Sequence, residues 1–293
     1  MQTWFITGAS GGLAAPLLNK LLTRGDRVAA TVRRPGVLDE WKAQYGDRLW
    51  VAHLDLTDLP QIEQVVERAF EELGEIDVVV NNAAYGLYGA IEEASDEQIR
   101  HQFETNVFGS LKVMRAAMPF LRNQGHGHLI QLSSMAGHYS IPGMGFYCSS
   151  KWAIEGAFEA LAKEAAPFGI RSTMVEPGGI RTPFITSSAR YGERMDAYRE
   201  QEAGLFTRMM QGEVPGMDDM EAFKRMVVGD PEKMAQAIIE RSDAGEGPLR
   251  MALGSDAYRE IRQALLDRLA ALDAQQELAY STDADDVRQE VGR

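Results

Sequence analysis

The sequence contains a single cysteine, Cys148, among its 293 residues. One cysteine cannot form an intrachain disulfide, so nothing in the chain requires an oxidising compartment. The chain also lacks a run of about 18 apolar residues, the length that a transmembrane helix needs. A strand-like segment begins at Thr3, so no amino-terminal signal peptide is expected. These absences predict a cytoplasmic protein that does not enter a membrane.

Positive charge is also scarce, with 30 Lys and Arg residues against 43 Asp and Glu residues and a net charge of −13. A nucleic-acid-binding protein needs a basic surface to neutralise phosphates, so no nucleic-acid partner is expected. A small phosphorylated ligand remains possible, because local cations and helix termini can hold one. The length suffices for one large domain with a substantial core.

Short apolar runs alternate with helix-length amphipathic segments along most of the chain. This alternation is typical of βαβ units, in which helices cover both faces of a parallel sheet. Because such crossovers are right-handed, the predicted α/β architecture is a doubly wound seven-stranded parallel sheet, a Rossmann fold, in a single domain over residues 1–293. The predicted strands are residues 3–7, 27–32, 49–54, 76–80, 128–132, 172–175 and 249–253.

Two segments depart from this alternation. Residues 184–226 form a long connection that is rich in methionine and aromatic residues. Connections of this length are often functional, so we predict a helical substrate lid; an extra helical pair packed on the domain edge is the alternative. Residues 274–293 are polar and acidic, and we expect a carboxy-terminal tail with a frayed end.

A glycine-rich turn from Thr7 to Ala14 follows the first predicted strand and precedes a helix. Such a turn presents backbone N–H groups and a positive helix end at one point, which suits a pyrophosphate. The motif is weak by itself, because a tight loop without a ligand can have the same composition. The residues predicted to contact the ligand are Gly8, Ser10, Gly11, Gly12 and Leu13.

The end of the second predicted strand indicates which dinucleotide binds. An acidic residue there would bind the ribose 2′-hydroxyl of NAD, but this chain has Arg33 and Arg34. A guanidinium pairs well with a 2′-phosphate, so NADP(H) is favoured over NAD(H), with Arg33 as the binding residue. The alternative is that both arginines are solvated loop charges.

Together, the motifs and their order resemble the short-chain dehydrogenase/reductase family. The resemblance covers about residues 3–182, and residues 230–254 more loosely. Ala14 and Ala84 stand where the family has glycine, and both replacements are small. The matching segments beyond the glycine-rich turn are Asp55-Leu56, Asn81-Asn82-Ala83-Ala84, Asn106, Ser133-Ser134, Tyr147 to Lys151, and Pro177-Gly178 with Thr182.

The resemblance implies cofactor contacts beyond the glycine-rich turn. Asp55 and Leu56 would lie at the adenine ring. The turn of Asn82, Ala83 and Ala84 would lie beside the cofactor, as would the loop that holds the nicotinamide carboxamide. The residues of that loop are Pro177, Gly178, Ile180 and Thr182.

Tyr147 and Lys151 are four residues apart, so on a helix they share one face. An ammonium group nearby favours the phenolate, which predicts a general acid/base whose pKa is drawn toward the working pH. The resemblance implies that Lys151 also binds the cofactor ribose. It further implies that Ser134, with Ser133 as the alternative, binds the substrate oxygen, and that Asn106 anchors a water linking Lys151 to solvent.

The residues predicted to line the substrate pocket are mostly apolar, which favours a hydrophobic ketone, aldehyde or alcohol, although the same residues can belong to the core. They are Tyr85, Met135, His138, Tyr139, Met144, Phe146 and Phe184, with Met209 and Met210. His138 and His126 lack clustered partners in the sequence, so no metal is expected. The resemblance implies that helices at residues 97–122 and 147–168 pair in a homodimer or homotetramer.

These features predict an NADP(H)-dependent oxidoreductase that interconverts a ketone or aldehyde and an alcohol. The alternative is a non-catalytic NADP(H)-binding redox sensor or scaffold. A sensor would need the glycine-rich turn but not Ser134, Tyr147 and Lys151, and all three are present. An epimerase or dehydratase of related fold would show a different glycine spacing and a larger carboxy-terminal domain.

Overall fold

The computed structural model describes residues 1–213 and 227–284. Nine strands lie in these segments: β1 (Thr3–Ile6), β2 (Arg27–Val32), β3 (Leu49–His53), β4 (Val78–Asn81), β5 (Gly86–Tyr88), β6 (Gly127–Leu132), β7 (Ile170–Pro177), β8 (Ala189–Tyr191) and β9 (Arg250–Leu253). Seven of them form one sheet in the order β3-β2-β1-β4-β6-β7-β9. Every neighbouring pair in it is parallel, which confirms the predicted doubly wound sheet.

Eleven α-helices are described in the same segments. They are α1 (Ala14–Arg24), α2 (Asp39–Tyr45), α3 (Leu59–Leu73), α4 (Asp96–Phe103), α5 (Ser110–Gln124), α6 (Gly145–Ala165), α7 (Phe184–Ser187), α8 (Glu202–Met210), α9 (Pro231–Asp243), α10 (Ser255–Asp273) and α11 (Gln276–Ser281). No helix within residues 1–213 and 227–284 combines the length and the hydropathy needed to cross a membrane.

The core has two layers, one on each face of the sheet. On one face, Leu18 of α1 and Ile238 of α9 pack against Ile6 of the sheet. On the other, Ile62 of α3 and Phe158 of α6 belong to the second layer. Removal of these apolar side chains from water is the main stabilising contribution to the fold.

Strand β7 is longer than predicted, since it begins at Ile170 and ends at Pro177. The predicted run, residues 172–175, was bounded by its apolar pattern. Strand β6 pairs with one edge of β7 from Ile170 onward, and β9 pairs with the other as far as Pro177. Pairing with two neighbours therefore extends the strand into polar sequence.

The described part of the predicted lid packs against the segment that follows β4. Strand β8 pairs with β5 in a small second sheet that the sequence did not indicate. The buried Glu93 carboxylate accepts hydrogen bonds from the backbone N–H groups of Ala90 (2.8 Å) and Met195 (2.9 Å). Residues 214–226 of the predicted lid lie outside the described residues, and lid movement stays a prediction.

The predicted carboxy-terminal tail is described as far as residue 284, and residues 285–293 lie outside the described residues. Its described part contains the helix α11, in which Leu278 and Tyr280 are exposed.

Candidate active site

The carboxyl ends of the parallel strands meet at one edge of the sheet, where doubly wound folds bind their ligands. The glycine-rich turn and the turn after β4 brace each other at this edge. The Asn82 side chain donates hydrogen bonds to the carbonyl oxygens of Thr7 and Gly8, both at 3.1 Å. The Thr7 hydroxyl accepts from the backbone N–H groups of Asn82 (3.0 Å) and Ala83 (3.1 Å).

The glycine-rich turn packs against Ala83 at Gly8 but has free space beside Gly11 and Gly12. Gly8 has φ +64°, and a Cβ there would lie 2.8 Å from the Cβ of Ala83, so only glycine fits. A Cβ on Gly11 or Gly12 would meet no described atom within 4 Å. Within the described residues no side chain caps α1, which leaves its positive end facing this open side. The turn therefore fits a pyrophosphate group.

Asn82→Ala is expected to lower the free energy of unfolding by about 1–3 kcal/mol, because two carbonyl oxygens of the turn lose their donor. The affinity for a dinucleotide should fall as well, since the turn is no longer held. Urea denaturation and cofactor titration measure the two effects. Asn123→Ala, an exposed asparagine on α5, is the control and should change stability by less than about 0.5 kcal/mol. An Asn82→Ala protein of wild-type stability would contradict this account of the turn.

Arg33 and Asp55 lie near each other beyond β2 and β3. The Asp55 carboxylate accepts hydrogen bonds from the backbone N–H (2.9 Å) and the hydroxyl (2.8 Å) of Thr57. Burial acts to raise the pKa of Asp55, but these bonds and the charge of Arg33 bring it below its ordinary value. Arg33 itself is exposed, so its guanidinium is available to an anionic ligand beside Asp55.

The loop after β7 is held by the end of β9 and the start of α10. The backbone N–H of Gly178 donates to the carbonyl of Leu253 (2.9 Å), and that of Gly179 donates to Asp256 Oδ2 (2.8 Å). Ile180 pairs with Gly229 in an isolated bridge. Sequence reasoning did not find Asp256, since only the folded topology brings α10 to this loop.

Tyr147 and Lys151 share one face of α6, and both are buried. The Lys151 Nζ donates a hydrogen bond to the carbonyl oxygen of Leu132 at the end of β6 (2.9 Å). The same Nζ lies 5.7 Å from the centroid of the Tyr147 ring. The helix thus presents a phenol and an ammonium group next to the end of the sheet.

The turn after β6 brings Ser134 to Tyr147. Ser134 has extended backbone and begins a short 3-10 turn, Met135–Gly137, in which its hydroxyl accepts from the N–H of Ala136 (3.1 Å). The Ser134 hydroxyl lies near enough to the Tyr147 phenol to lower its pKa, whereas the Ser133 hydroxyl acts in the same way on Glu155. Of the two serines considered from the sequence, Ser134 therefore faces the phenol.

Burial dominates the ionisation of both groups on α6. It raises the pKa of Tyr147 to about 12, against the opposing hydrogen bond with Ser134. It lowers the pKa of Lys151 to about 8, against the opposing charge of Glu155. The expectation that the phenol pKa is drawn down toward the working pH is wrong for this structure, because burial raises this pKa and outweighs the lowering by Ser134.

Asn106 lies in a π-helix, Glu104–Gly109, between α4 and α5. Its side chain accepts from the N–H of Tyr85 (3.1 Å) and donates to the Tyr85 carbonyl (2.9 Å) and to Ser150 Oγ (3.2 Å). Asn106 thus ties the segment after β4 to α6. Its predicted role in anchoring a water stays a prediction.

An apolar cluster surrounds the Tyr147 ring. Met144 belongs to it, and the Phe184 ring centroid lies 6.2 Å from that of Tyr147. Tyr88 is also a member and stacks on Tyr191 at 5.5 Å. The other members and neighbours are Ala136, Ile141, Cys148, Ala189, Phe206 and Met210. Tyr88, the last residue of β5, was not predicted.

Other predicted pocket residues point elsewhere or are only partly buried. The Tyr85 hydroxyl contacts His101 Nδ1 at 2.9 Å. Tyr139 is half-buried, and burial together with the charge of Glu260 raises its pKa to about 12. Met135 is partly buried in the Ser134 turn.

His138 lies in a buried group with Glu155 and Glu176, whose ligand-type atoms are all within 4.8 Å of one another. The expectation that His138 lacks clustered partners is therefore wrong, because the fold joins it to distant carboxylates. The absence of a catalytic metal stays a prediction.

Comparisons with known proteins agree with this arrangement. A family model described as short chain dehydrogenase matches residues 2–191. The chain is 37% identical over 257 residues to Oxidoreductase BOA17 of Botryotinia fuckeliana, covering 87% of this chain and 90% of the relative. It is 35% identical over 210 residues to a 3-ketodihydrosphingosine reductase of Bacteroides thetaiotaomicron, with coverage of 72% and 75%.

A solved short-chain dehydrogenase from Streptomyces avermitilis has the same fold, with a TM-score of 0.85 and 35% identity over 97% of this chain and 100% of that chain. Some structurally similar proteins hold NADP, and another holds NAD.

The fold and the site define an oxidoreductase that acts on CH–OH groups with NAD(P). The chain belongs to the short-chain dehydrogenase family. Membership in this family of oxidoreductases favours an enzyme over the non-catalytic sensor or scaffold that was the alternative.

Proposed function

We propose that this protein is an NADP(H)-dependent oxidoreductase that interconverts a hydrophobic ketone or aldehyde and an alcohol. The observation that carries the proposal is the buried group of Ser134, Tyr147 and Lys151, which lies between an apolar cluster and the loops at the carboxyl edge of the sheet. Phenol and serine hydroxyls at the end of an apolar pocket suit a ligand with one oxygen and an apolar body.

The bound nicotinamide supplies or accepts the hydride. The Ser134 hydroxyl donates a hydrogen bond to the substrate oxygen, and the Tyr147 phenol gives that oxygen its proton during reduction. Because burial raises the pKa of Tyr147 to about 12, the phenol is neutral at pH 7, which is the form that reduction needs. The Lys151 Nζ lies 5.7 Å from the centroid of the Tyr147 ring and would hydrogen-bond the ribose of a bound cofactor.

Arg33 supports the preference for NADP(H). Arg33→Ala is expected to weaken NADPH binding about 10- to 100-fold, because a charge-assisted pair with the 2′-phosphate is lost. NADH lacks that phosphate, so its affinity should change less than about twofold. Fluorescence titration with each cofactor gives the ratio of the two dissociation constants. Arg115→Ala, at an exposed position of α5, is the control. An equal loss for the two cofactors would refute the role of Arg33.

The reaction itself is tested with a panel of ketones, aldehydes and alcohols, followed at 340 nm with NADPH, NADH and their oxidised forms. The apolar cluster that contains Tyr88 and Met144, with Phe184 packed against it, supports turnover that rises with the apolar area of the substrate. A relative that carries the name of a 3-ketodihydrosphingosine reductase is consistent with a ketone on an apolar chain. Higher activity with small polar substrates would overturn the proposed substrate class.

Assembly and location belong to the same proposal. The segments at residues 97–122 and 147–168 expose Phe108 (51%), Trp152 (41%) and Phe168 (43%). Exposed apolar side chains on these helices support the predicted homodimer or homotetramer. The cytoplasmic location stays a prediction.

A further inference from the structure

A buried ion cluster lies behind the Ser134 turn. It consists of Glu155 from α6, Glu176 from β7, His138 after the turn, and Arg250 from β9. His138 Nε2 lies 3.0 Å from Glu176 Oε2. The Arg250 Nε lies 3.2 Å from Glu155 Oε2 and 3.3 Å from Glu176 Oε1. The proposed reaction uses none of these four side chains directly.

The charges in this cluster do not balance on their own. Two carboxylates and one guanidinium leave one negative charge when the imidazole is neutral. A divalent metal on the same carboxylates would lie close to the Arg250 guanidinium, and that repulsion argues against it. The nearest further cation on the same helix is Lys151, one turn before Glu155 and on the same face.

Glu155 contacts the other half of the site as well. A Cβ on Gly137 would lie 2.9 Å from the Glu155 Cγ, so the side chain packs directly on the backbone of the Ser134 turn. Ser133 Oγ and Glu155 Oε1 would lie 3.2 and 3.3 Å from that same Cβ, so the hydroxyl and the carboxylate both contact this point of the turn. One buried carboxylate thus contacts the serine turn and lies one helical turn from the lysine.

We propose that Glu155 is a positioning residue that holds the Ser134 turn through Gly137 and Ser133 and stabilises the ammonium form of Lys151. This inference rests on the proposed role of Lys151 in cofactor binding. It assigns a function to a carboxylate that never touches the substrate or the cofactor.

The ionisation of Lys151 agrees with this geometry. Burial brings the pKa of Lys151 down to about 8, and Glu155 is the charge that opposes the decrease. Burial raises the pKa of Glu155, and so does Glu176, whereas the Ser133 hydroxyl, Arg250 and His138 lower it. Loss of the Glu155 charge should therefore let Lys151 lose its proton at a lower pH.

The test follows NADPH affinity by fluorescence from pH 6.5 to 9.5, which needs no substrate. In Glu155→Gln, the midpoint of the alkaline loss of affinity is expected about one pH unit below that of the wild type. At pH 8 this shift corresponds to about fivefold weaker binding. Glu159→Gln is the matched control, because Glu159 lies one turn further on α6 and also contacts Arg250; its midpoint should stay within about 0.3 pH units of the wild type.

Glu155→Asp keeps the charge, so its midpoint should match the wild type even if its overall affinity is lower. This variant decides the question if Glu155→Gln does not fold, since a lowered midpoint in Glu155→Asp would overturn the proposal. A Glu155→Gln protein with uniformly weaker binding at every pH would show a purely structural role and would also overturn it. So would a fall in the wild-type melting temperature on adding EDTA, which would assign the cluster to a metal. A wild-type protein that binds NADPH with no alkaline midpoint would refute the proposed role of Lys151 instead.

Discussion

Tyr147→Phe is expected to bind NADPH with wild-type affinity and to turn over substrate about 10²- to 10⁴-fold more slowly, the usual contribution of a positioned general acid. Phenylalanine keeps the ring that packs in the apolar cluster with Met144 and Phe184. Only the hydroxyl that partners Ser134 is removed. The loss should therefore fall on kcat and leave the cofactor site unchanged.

Steady-state kinetics measure kcat, and NADPH titration of the same preparation measures the affinity for the cofactor. Tyr45→Phe is the control. The Tyr45 hydroxyl lies at the end of α2 and contacts the exposed Thr23 hydroxyl of α1 (3.5 Å). That variant should keep full activity. A Tyr147→Phe protein that retains turnover within about threefold of the wild type would remove Tyr147 from the chemical step.

Lys151→Met is expected to lower cofactor-dependent activity by at least about 100-fold. The same substitution should raise the free energy of unfolding of the protein without cofactor. Burial lowers the pKa of Lys151 from 10.5 to about 8, which costs the folded state about 3 kcal/mol at pH 7. Methionine removes that cost, but the Leu132 carbonyl loses the hydrogen bond from Lys151 and keeps the one from the Gln131 side chain (3.1 Å). The lost hydrogen bond offsets about 1 kcal/mol of the gain. The net gain in unfolding free energy is about 2 kcal/mol.

The gain should depend on pH in a defined direction. The unfolded lysine keeps its proton up to about pH 10.5, whereas the folded one loses it near pH 8, so the penalty is complete below pH 8 and disappears toward pH 10.5. The stability difference between variant and wild type should therefore shrink when urea denaturation is repeated at pH 9.5. Leu111→Met, a partly buried position on α5, controls for the introduced methionine. A Lys151→Met protein that is less stable than wild type at pH 7 would contradict the assigned cost of burial.

The sheet was predictable because each buried strand is an apolar run between turn residues. Less predictable was the extent of β7, since Arg171 and Glu176 lie outside the predicted residues 172–175 and are strand through pairing with β6 and with β9, respectively. The second sheet, β5 with β8, joins segments about a hundred residues apart and has no local signal.

The site was predictable where its residues are close in sequence. The spacing of Tyr147 and Lys151 on one helix places them together without knowledge of the fold. Glu155 extends that face by one turn and was available to the same reasoning, but its partners Glu176 and Arg250 arrive from β7 and β9. The raised pKa of Tyr147 was missed because burial of a phenol depends on the packing of the whole segment around it.

The most direct test of the account follows the hydride itself, with NADPH that carries deuterium at both C4 positions and an apolar ketone from the panel. Mass spectrometry of the product alcohol should find the deuterium on the carbinol carbon for the wild type, at a rate that the Tyr147→Phe variant lowers by about 100-fold or more. Consumption of NADPH without deuterium in the alcohol, or equal rates for the two proteins, would contradict hydride transfer assisted by Tyr147.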